Sequence, residues 1–322
     1  MPVWRTINRP EMGYLDGLSE DISLLEAQFP NSLAAVGDSP MWLASDYSGQ
    51  HKQAAFEAYA FLVTTESSLG AWNCERVAFR RKYLADGRRL SFKKLRDRVR
   101  WRAMLPFLTI ADCLQGNLVT FVIDKRIRSL FAEEGVVDWS HLPKVFPEGT
   151  SHNVVEKSLR VATFVALMIA GFRDEAQQAT WISDDDDTLD TYARRDRLAE
   201  LISYLTWEIT GWRNPALMEF GTTALDSSHR HLEDFAAIRD LVAGALANLA
   251  PAIGIPEATG VSVSIVNRDM CTDVRTRAVI DWLACRDLPL KRILLRVVKD
   301  HAGTIRTRAE MFGFGLGPGG PG

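Results

Sequence analysis

Three aspartates stand at the ends of short apolar runs, and they are the residues of the chain best suited to metal chemistry. Asp46 follows the run MWLAS, Asp124 ends VTFVID, and Asp184 follows ATWIS. A β-strand delivers a side chain to a fixed point where its sheet meets solvent, so carboxylates from several strands can share one ion. The sequence therefore predicts a site for a hard divalent cation, Mg²⁺ or Mn²⁺.

Each of these acids also has a simpler interpretation, which the spacing leaves open. Asp46 could cap the following turn through its own side chain. Asp184 opens a run of four aspartates, a pattern typical of a solvated helix N-terminus, and Asp185 is the weaker alternative as a ligand. Asp124 could be a ligand or part of an ion pair at the end of its strand, and Lys125 beside it could reach a phosphate or the attacking water.

A basic segment, residues 76–102, carries twelve Lys or Arg and two acids in a chain whose net charge is −3. Aromatic residues are interleaved with these cations, as a surface that binds phosphates and stacks bases requires. The alternative is a solvated helical face. The candidate nucleic-acid contacts are Arg81, Lys82, Arg88, Arg89, Lys93 and Lys94.

The composition is that of an ordinary globular protein, with 322 residues, 47% hydrophobic and 25% charged. No apolar run reaches the roughly 18 residues of a membrane span, so no membrane partner is expected. The N-terminus lacks the apolar core of a signal peptide, which favours the cytoplasm. The four cysteines form no CxxC pair and indicate neither a zinc knuckle nor a disulfide framework. The oligomeric state is left open.

Alternation and helical spacing predict an α/β chain that begins with a hairpin around the polar turn SGQHKQ. The predicted strands are 41–46, 56–64, one between Arg76 and Phe92, 119–123, 179–183, an edge strand at 217–222, 261–266, and a hairpin over 290–312 that turns at 300–303. The predicted helices are one across 92–108 broken near Pro106, then 154–172, 198–212, 229–249 and 273–285.

Four regions are expected along the chain. Residues 1–40 form an N-terminal lead-in segment, with the core beginning near Met41, and 41–250 form the main domain. Residues 251–312 form a small C-terminal α+β subdomain, and 313–322 a flexible Gly/Pro tail. In the helix over 229–249, small residues around Asp240 are expected to let the backbone approach the sheet and aim Asp240 inward.

The order of these elements, with acids at strand ends and one on a late helix, is similar to that of RNase H-like folds. The chain resembles the prokaryotic domain-of-unknown-function family numbered 3800, whose D-E-S-G motif reads Asp46-Tyr47-Ser48-Gly49 here. The family's other motifs resemble Phe121 to Lys125, Trp181 to Asp184, and Ala236 to Gly244, where Asp240 to Gly244 are kept, so that the match spans about 41–249. The resemblance implies an RNase H-like mixed sheet flanked by helices and a metal-dependent nuclease.

Two functions follow from this reading. The first is cleavage of DNA or RNA with one or two ions held by Asp46, Asp184 and Asp240, and with Asp124 and Lys125 as further catalytic candidates. The second is a non-catalytic RNase H-like binding or accessory protein of a mobile element or phage-defence system. Departures from the family pattern motivate it: Tyr47 replaces an acid, Ala237 a glutamine, and Arg89-Leu90-Ser91 a Glu-x-His. A small-substrate phosphatase is a weaker third hypothesis.

Overall fold

The protein is an α/β fold built on one mixed sheet of eight strands, in the order β5-β4-β1-β2-β3-β7-β8-β6. The computed structural model describes residues 3–131, 146, 150–183, 192–212, 218–226, 230–253, 260–266, 271–285 and 287–314. Helices cover both faces of the sheet. The predicted class, a mixed sheet flanked by helices, is confirmed, and the architecture is consistent with an RNase H-like fold.

The strands pair in both senses. The pairs β1–β2, β2–β3 and β7–β8 are antiparallel, whereas β1–β4, β4–β5, β3–β7 and β6–β8 are parallel. The strands are β1 (Met41–Ser48), β2 (Phe56–Thr65), β3 (Gly116–Asp124), β4 (Ala179–Ser183), β5 (Met218–Thr222), β6 (Gly260–Val266), β7 (Leu290–Lys299) and β8 (Ile305–Phe314).

Two groups of helices sandwich the sheet. The helices are α1 (Tyr14–Gln28), α2 (Glu66–Tyr83), α3 (Arg98–Ala111), α4 (His152–Phe172), α5 (Tyr192–Thr210), α6 (His231–Ile253) and α7 (Val274–Leu283). Helices α1, α4 and α5 share a core with one face, called here the α4 face. Helices α2, α3, α6 and α7 share a core with the other, called the α6 face.

The β1–β2 hairpin depends on the glycine of the Asp46-Tyr47-Ser48-Gly49 motif. Gly49 has a φ of 81°, and a Cβ atom there would lie 2.2 Å from the carbonyl oxygen of Phe56. A larger residue would meet both an unfavourable backbone conformation and a backbone clash. The motif glycine is therefore explained by hairpin geometry without reference to chemistry.

The core begins well before Met41, contrary to the expectation of a lead-in segment. Trp4, Leu18, Ile22 and Leu25 are buried on the α4 face, and α1 packs against β8. Trp4 lies so close to Gly171 of α4 that a Cβ atom there would be 2.1 Å from the indole ring. Residues 3–28 are thus an integral layer of the fold.

The predicted strand between Arg76 and Phe92 is wrong, because residues 66–83 form helix α2. The side chain of Thr65 caps its N-terminus by accepting a hydrogen bond from the Ser68 amide. Buried residues then recur at helical steps: Leu69, Trp72, Arg76 and Phe79. The helix predicted to break near Pro106 instead continues through it to Ala111.

Residues 251–312 do have the predicted α+β content, but their strands continue the main sheet. Strand β7 lies parallel to β3 over Gly116–Ile123, and β8 and β6 follow outward. The expected boundary at 250/251 is therefore not a break between separate sheets. Residues 313 and 314 of the predicted tail belong to β8, and its residues 315–322 lie outside the described residues.

Helix α6 is long and apolar enough to cross a membrane by composition, with a mean hydropathy of 1.3 over its best window. However, 67% of that window is buried inside the protein, where α6 packs on β1, β2 and α7. Its apolar character is accounted for by its place in the core.

Candidate acidic site and basic surface

Asp46 lies within β1, two residues before the strand ends, with its side chain on the α6 face. Leu43 belongs to the core of the α4 face and Ala44 to that of the α6 face. Side chains alternate along a strand, so Asp46 follows Ala44. Its Oδ1 accepts a hydrogen bond of 2.7 Å from the Tyr47 amide, the local bond expected of an acid near a turn.

Asp240 lies on α6, the helix that covers this half of β1. Its Oδ2 accepts a hydrogen bond of 2.6 Å from the amide of Phe92, which opens a short 3₁₀ turn (Phe92–Lys94). Gly244, one helical turn further, touches Phe92: a Cβ there would be 2.5 Å from the ring. Gly244 thus accommodates this turn, a contact that the sequence-based reason for the small residues did not include.

The buried Arg239 joins the two elements that carry these acids. It is fully buried, and its Nη1 donates to the carbonyl oxygens of Ser45, in β1, and Ile182, in β4, the latter at 3.2 Å. Helix α6 is therefore fixed over the ends of β1 and β4, beside Asp46. A guanidinium at this position also places a permanent positive charge in the region where a cation was predicted.

Asp184 and Asp185, the candidates from the third strand end, lie outside the described residues. The strand before them, β4, is found at Ala179–Ser183 as predicted. Its parallel register pairs Ser183 with Ser45, the residues that precede Asp184 and Asp46 in the sequence. The indole of Trp181 donates to the Ser45 hydroxyl at 3.0 Å, and this bond secures the pairing on the α4 face.

Asp124 is separated from Asp46 by the sheet register. Asp46 pairs with Ala60 and Asp124 with Phe56, so two strand spacings and four residues lie between them. At about 4.8 Å per strand and 3.3 Å per residue, their Cα atoms are about 16 Å apart, too far to share one ion. Asp124 instead accepts bonds from the Nε of Arg126 at 2.7 Å and its amide at 2.9 Å. It is a strand-terminal ion pair, the alternative interpretation.

Lys125 also has a structural position. Its Nζ donates to the carbonyl oxygens of Gly49, at 3.2 Å, and His51, at 2.8 Å. The ammonium group ties the end of β3 to the β1–β2 turn. The predicted contact of Lys125 with a phosphate or with the attacking water would require these bonds to be exchanged.

Part of the basic segment is directed into the protein. Asp234 of α6 receives Arg76 at 2.9 Å and Arg80 at 2.6 Å, and the side chains of Arg76 and Asp234 are 2% and 1% exposed. His231, one turn earlier, lies against the rings of Trp42 and Trp72. Burial, and secondarily Arg76, lower the pKa of His231. This cluster holds α2 against α6.

Two of the candidate nucleic-acid contacts are also in ion pairs. Arg88 binds Asp86 through Nε at 2.6 Å and Asp97 through Nη1 at 3.0 Å. Arg89 donates from Nε to Glu233 of α6 at 2.5 Å. Asp97 also caps α3 through the amides of Val99 and Arg100, and the bond from the Arg100 amide is the main cause that lowers its pKa. These arginines therefore order the loop between α2 and α3.

Seven of the remaining cations of the segment are exposed, whereas Arg100 is half-buried and paired with Asp97 at 3.5 Å. Within the described part of the chain the seven form no ion pair, and Lys82 lies 5.2 Å from the ring centroid of Tyr83. Lys93 and Lys94 belong to the 3₁₀ turn bound by Asp240. The exposed cations, called here the basic strip, are Arg81, Lys82, Lys93, Lys94, Arg96, Arg98 and Arg102.

The structure thus places Asp46 and Asp240 on the same side of the sheet, with Asp240 bound to the turn that carries Lys93 and Lys94 of the basic strip. Among the residues that the structure describes, no group of three or more His, Cys, Asp or Glu side chains could hold a metal ion. Arg239 and Asp234 were not among the residues predicted from the sequence. Each is a charged residue at a core-facing position of the 3.6-residue pattern of α6, and that position could have indicated a buried structural role.

Comparison with known proteins adds no relative: no family model matches the chain, and no curated protein matches it significantly. The resemblance to the family numbered 3800 therefore rests on the quoted motifs alone and stays a prediction.

Proposed function

We propose that the protein is a divalent-metal-dependent nuclease of RNase H-like type, acting on DNA or RNA in the cytoplasm. The observation that carries the proposal is the hydrogen bond from the Phe92 amide to Asp240, 2.6 Å long. It fixes a turn bearing two exposed lysines against the helix that carries a candidate metal ligand. A phosphodiester bound by Lys93 and Lys94 would therefore lie beside Asp240.

Asp46 and Asp240, with Asp184, would hold Mg²⁺ or Mn²⁺, because carboxylate oxygens suit these ions. When bound, such an ion supplies an activated water and neutralises charge on the scissile phosphate. The basic strip would bind the neighbouring phosphates and position the strand. Arg239 would hold α6 over β1, so that the two carboxylates keep their relative position.

A non-catalytic nucleic-acid-binding role is the second candidate, and Arg239 favours it. A buried guanidinium beside carboxylates offsets their charge in a medium where electrostatic interactions are strong. The affinity of such carboxylates for a free cation would be reduced. In this case Asp240 serves to anchor the Phe92–Lys94 turn, and the basic strip binds nucleic acid without cleavage.

The test is cleavage of labelled single- and double-stranded DNA and RNA by the full chain, with Mg²⁺, Mn²⁺ or a chelator. Asp46→Asn and Asp240→Asn should each lower metal-dependent cleavage by about 100-fold or more, since each removes a charged ligand. Melting temperatures should stay near wild type, because an asparagine oxygen can still accept the local amide hydrogen bonds. Asp174→Asn is the control, an exposed acid paired with Arg5.

Asp240→Ala separates the two roles of Asp240. It removes both the charge and the acceptor for the Phe92 amide, so it should weaken nucleic-acid binding as well as cleavage. Undiminished cleavage by both Asn variants would overturn the assignment of the metal site to Asp46 and Asp240, and absence of metal-dependent cleavage by wild type would overturn the nuclease proposal. Nucleic-acid binding without cleavage, together with no heat of Mn²⁺ binding in calorimetry, would establish the second candidate.

A further inference from the structure

A cleft of about 680 Å³ opens on the α4 face, at the end of the sheet where β2 begins and β3 ends. Its walls come from the β1–β2 turn, the segment after β3, and the first turns of α4. Asp46 and the basic strip belong to the other face. This cleft therefore has no part in the proposed nuclease site, and its size is within the range typical of small-ligand sites, roughly 300–1,000 Å³.

The floor of the cleft is a fixed polar network around Arg160. Arg160 binds Glu156 through Nε at 2.8 Å and Glu57 through Nη1 at 3.0 Å, and its own side chain is 5% exposed. Its Nη2 donates to the carbonyl oxygen of Ile127 at 3.1 Å, and the Tyr59 hydroxyl donates to Glu57 at 2.8 Å. Glu57 and Glu156 are thus both bound to the guanidinium of Arg160.

Four further cations surround this floor: Lys52, Lys125, Arg128 and Lys157. Lys52 and Arg128 are exposed, and neither forms an ion pair within the described part of the chain. Lys125 is held by the carbonyl oxygens of the β1–β2 turn, and Lys157 lies 5.6 Å from the ring centroid of Tyr47. Together with Arg160, the described part of the lining has five cationic groups and two carboxylates.

This charge arrangement favours a ligand with several negative charges. Four cations of the lining lie outside the network around Arg160. They come from the three segments that form the walls of the cleft. His152 and Asn153, at the start of α4, also line the cleft, and the positive end of a helix dipole favours anions. Arginine and lysine both bind phosphate oxygens, arginine in a bidentate manner.

We propose that this cleft binds a small ligand carrying two or more phosphate groups. Lys52, from the β1–β2 turn, and Arg128, from the segment after β3, contact the phosphates, and Lys125 and Lys157 add to the positive field. The proposal is independent of the nuclease activity and adds a second, separate ligand site to the protein.

The experiment is isothermal titration calorimetry of the full chain with pyrophosphate, tripolyphosphate and ATP, in a chelator so that no cleavage contributes. Wild type should bind tripolyphosphate with 1:1 stoichiometry. Lys52→Ala/Arg128→Ala should lower that affinity at least tenfold, as expected for two lost charged contacts. The control is Arg5→Ala/Arg9→Ala, which removes two cations with side chains 45% and 40% exposed that belong neither to the cleft nor to the basic strip, and should leave that affinity unchanged.

The arms of the experiment identify the ligand. Tighter binding of ATP than of tripolyphosphate assigns a nucleotide, and equal binding assigns recognition of the phosphates alone. Absence of binding by wild type, or an equal loss in both double variants, overturns the proposal. The proposal is also overturned if no small phosphate ligand binds but an oligonucleotide does, and its binding requires Lys52 and Arg128. The cleft would then be part of a nucleic-acid-binding surface.

Discussion

The basic segment 76–102 has two parts that differ in what their cations contact, although the sequence makes them look alike. Arg76 and Arg80 are buried on Asp234 of α6, whereas Lys93, Lys94 and Arg96 face solvent. The first group is part of the protein's internal structure, and only the second is available to an external phosphate. A local excess of positive charge therefore overstates the binding surface when some of its cations are in ion pairs within the fold.

Disruption of the buried ion pairs of the segment should give the largest effect, and this effect is on stability. Asp234→Ala leaves two arginines without their carboxylate in the α2–α6 interface, and should reduce the free energy of unfolding by about 3–5 kcal/mol. Thermal and urea unfolding measure this. The matched control is Asp174→Ala, whose exposed pair with Arg5 is worth less than about 1 kcal/mol. A loss no greater than in the control would mean that the pair does not hold α2 in place.

A second buried carboxylate, that of Asp21, shows how burial changes the pKa of an acid that is not bound by two arginines. Asp21 of α1 is 5% exposed, and burial, partly offset by a hydrogen bond from Thr307, raises its pKa from 3.8 to about 6. A raised carboxyl pKa means that the folded state binds the proton more tightly, so stability falls as pH rises from about 4 to 6.

Asp21→Asn should therefore stabilise the protein at neutral pH by about 2 kcal/mol, with the advantage gone near pH 4. Melting temperatures across pH 4–8 test this against Glu200→Gln, an exposed acid on α5 that should show no such pH dependence. A stability difference that does not vary with pH would contradict the raised pKa.

The exposed part should show its effect in binding rather than in stability. Lys93→Ala/Lys94→Ala/Arg96→Ala should weaken nucleic-acid binding about tenfold at moderate salt and reduce the salt slope by about 2, with unchanged melting. Fluorescence anisotropy at several salt concentrations gives both values. An unaltered slope would remove these cations from the interface.

The smallest effect is expected for the arginines in exposed ion pairs. Arg88→Ala and Arg89→Ala should each change nucleic-acid affinity by less than about threefold, since their charges are already offset by Asp97 and Glu233. If either variant loses as much affinity as the triple variant, then pairing within the fold does not decide which cations bind nucleic acid.

The elements that the sequence predicted well are those whose pattern is local. The alternating or fully apolar runs of β1, β2 and β3 and the apolar length of α4 were all found close to their expected bounds. Helix α2 was missed because the charges at Arg76 and Arg80 obscured the helical spacing of Trp72 and Phe79. The pairing of β7 with β3 joins residues about 175 positions apart, and no local spacing encodes it.

The candidate site was predictable in part. The acid on β1 and the acid on α6 could be named because each stands in a recognisable local pattern. That Asp124 belongs to a different part of the α6 face follows from the strand register, which only the paired sheet reveals. The role of Arg239 depends on two carbonyl oxygens contributed by separate strands, and it could likewise not be predicted from the sequence.

The packing of α1 against β8 has a consequence for synthesis. Helix α1 leaves the ribosome well before β8, the strand on which it lies in the folded protein. Part of the apolar surface of Leu18, Ile22 and Leu25 therefore stays uncovered until β8 has been made. Removal of β8 would be expected to leave α1 exposed and prone to aggregation.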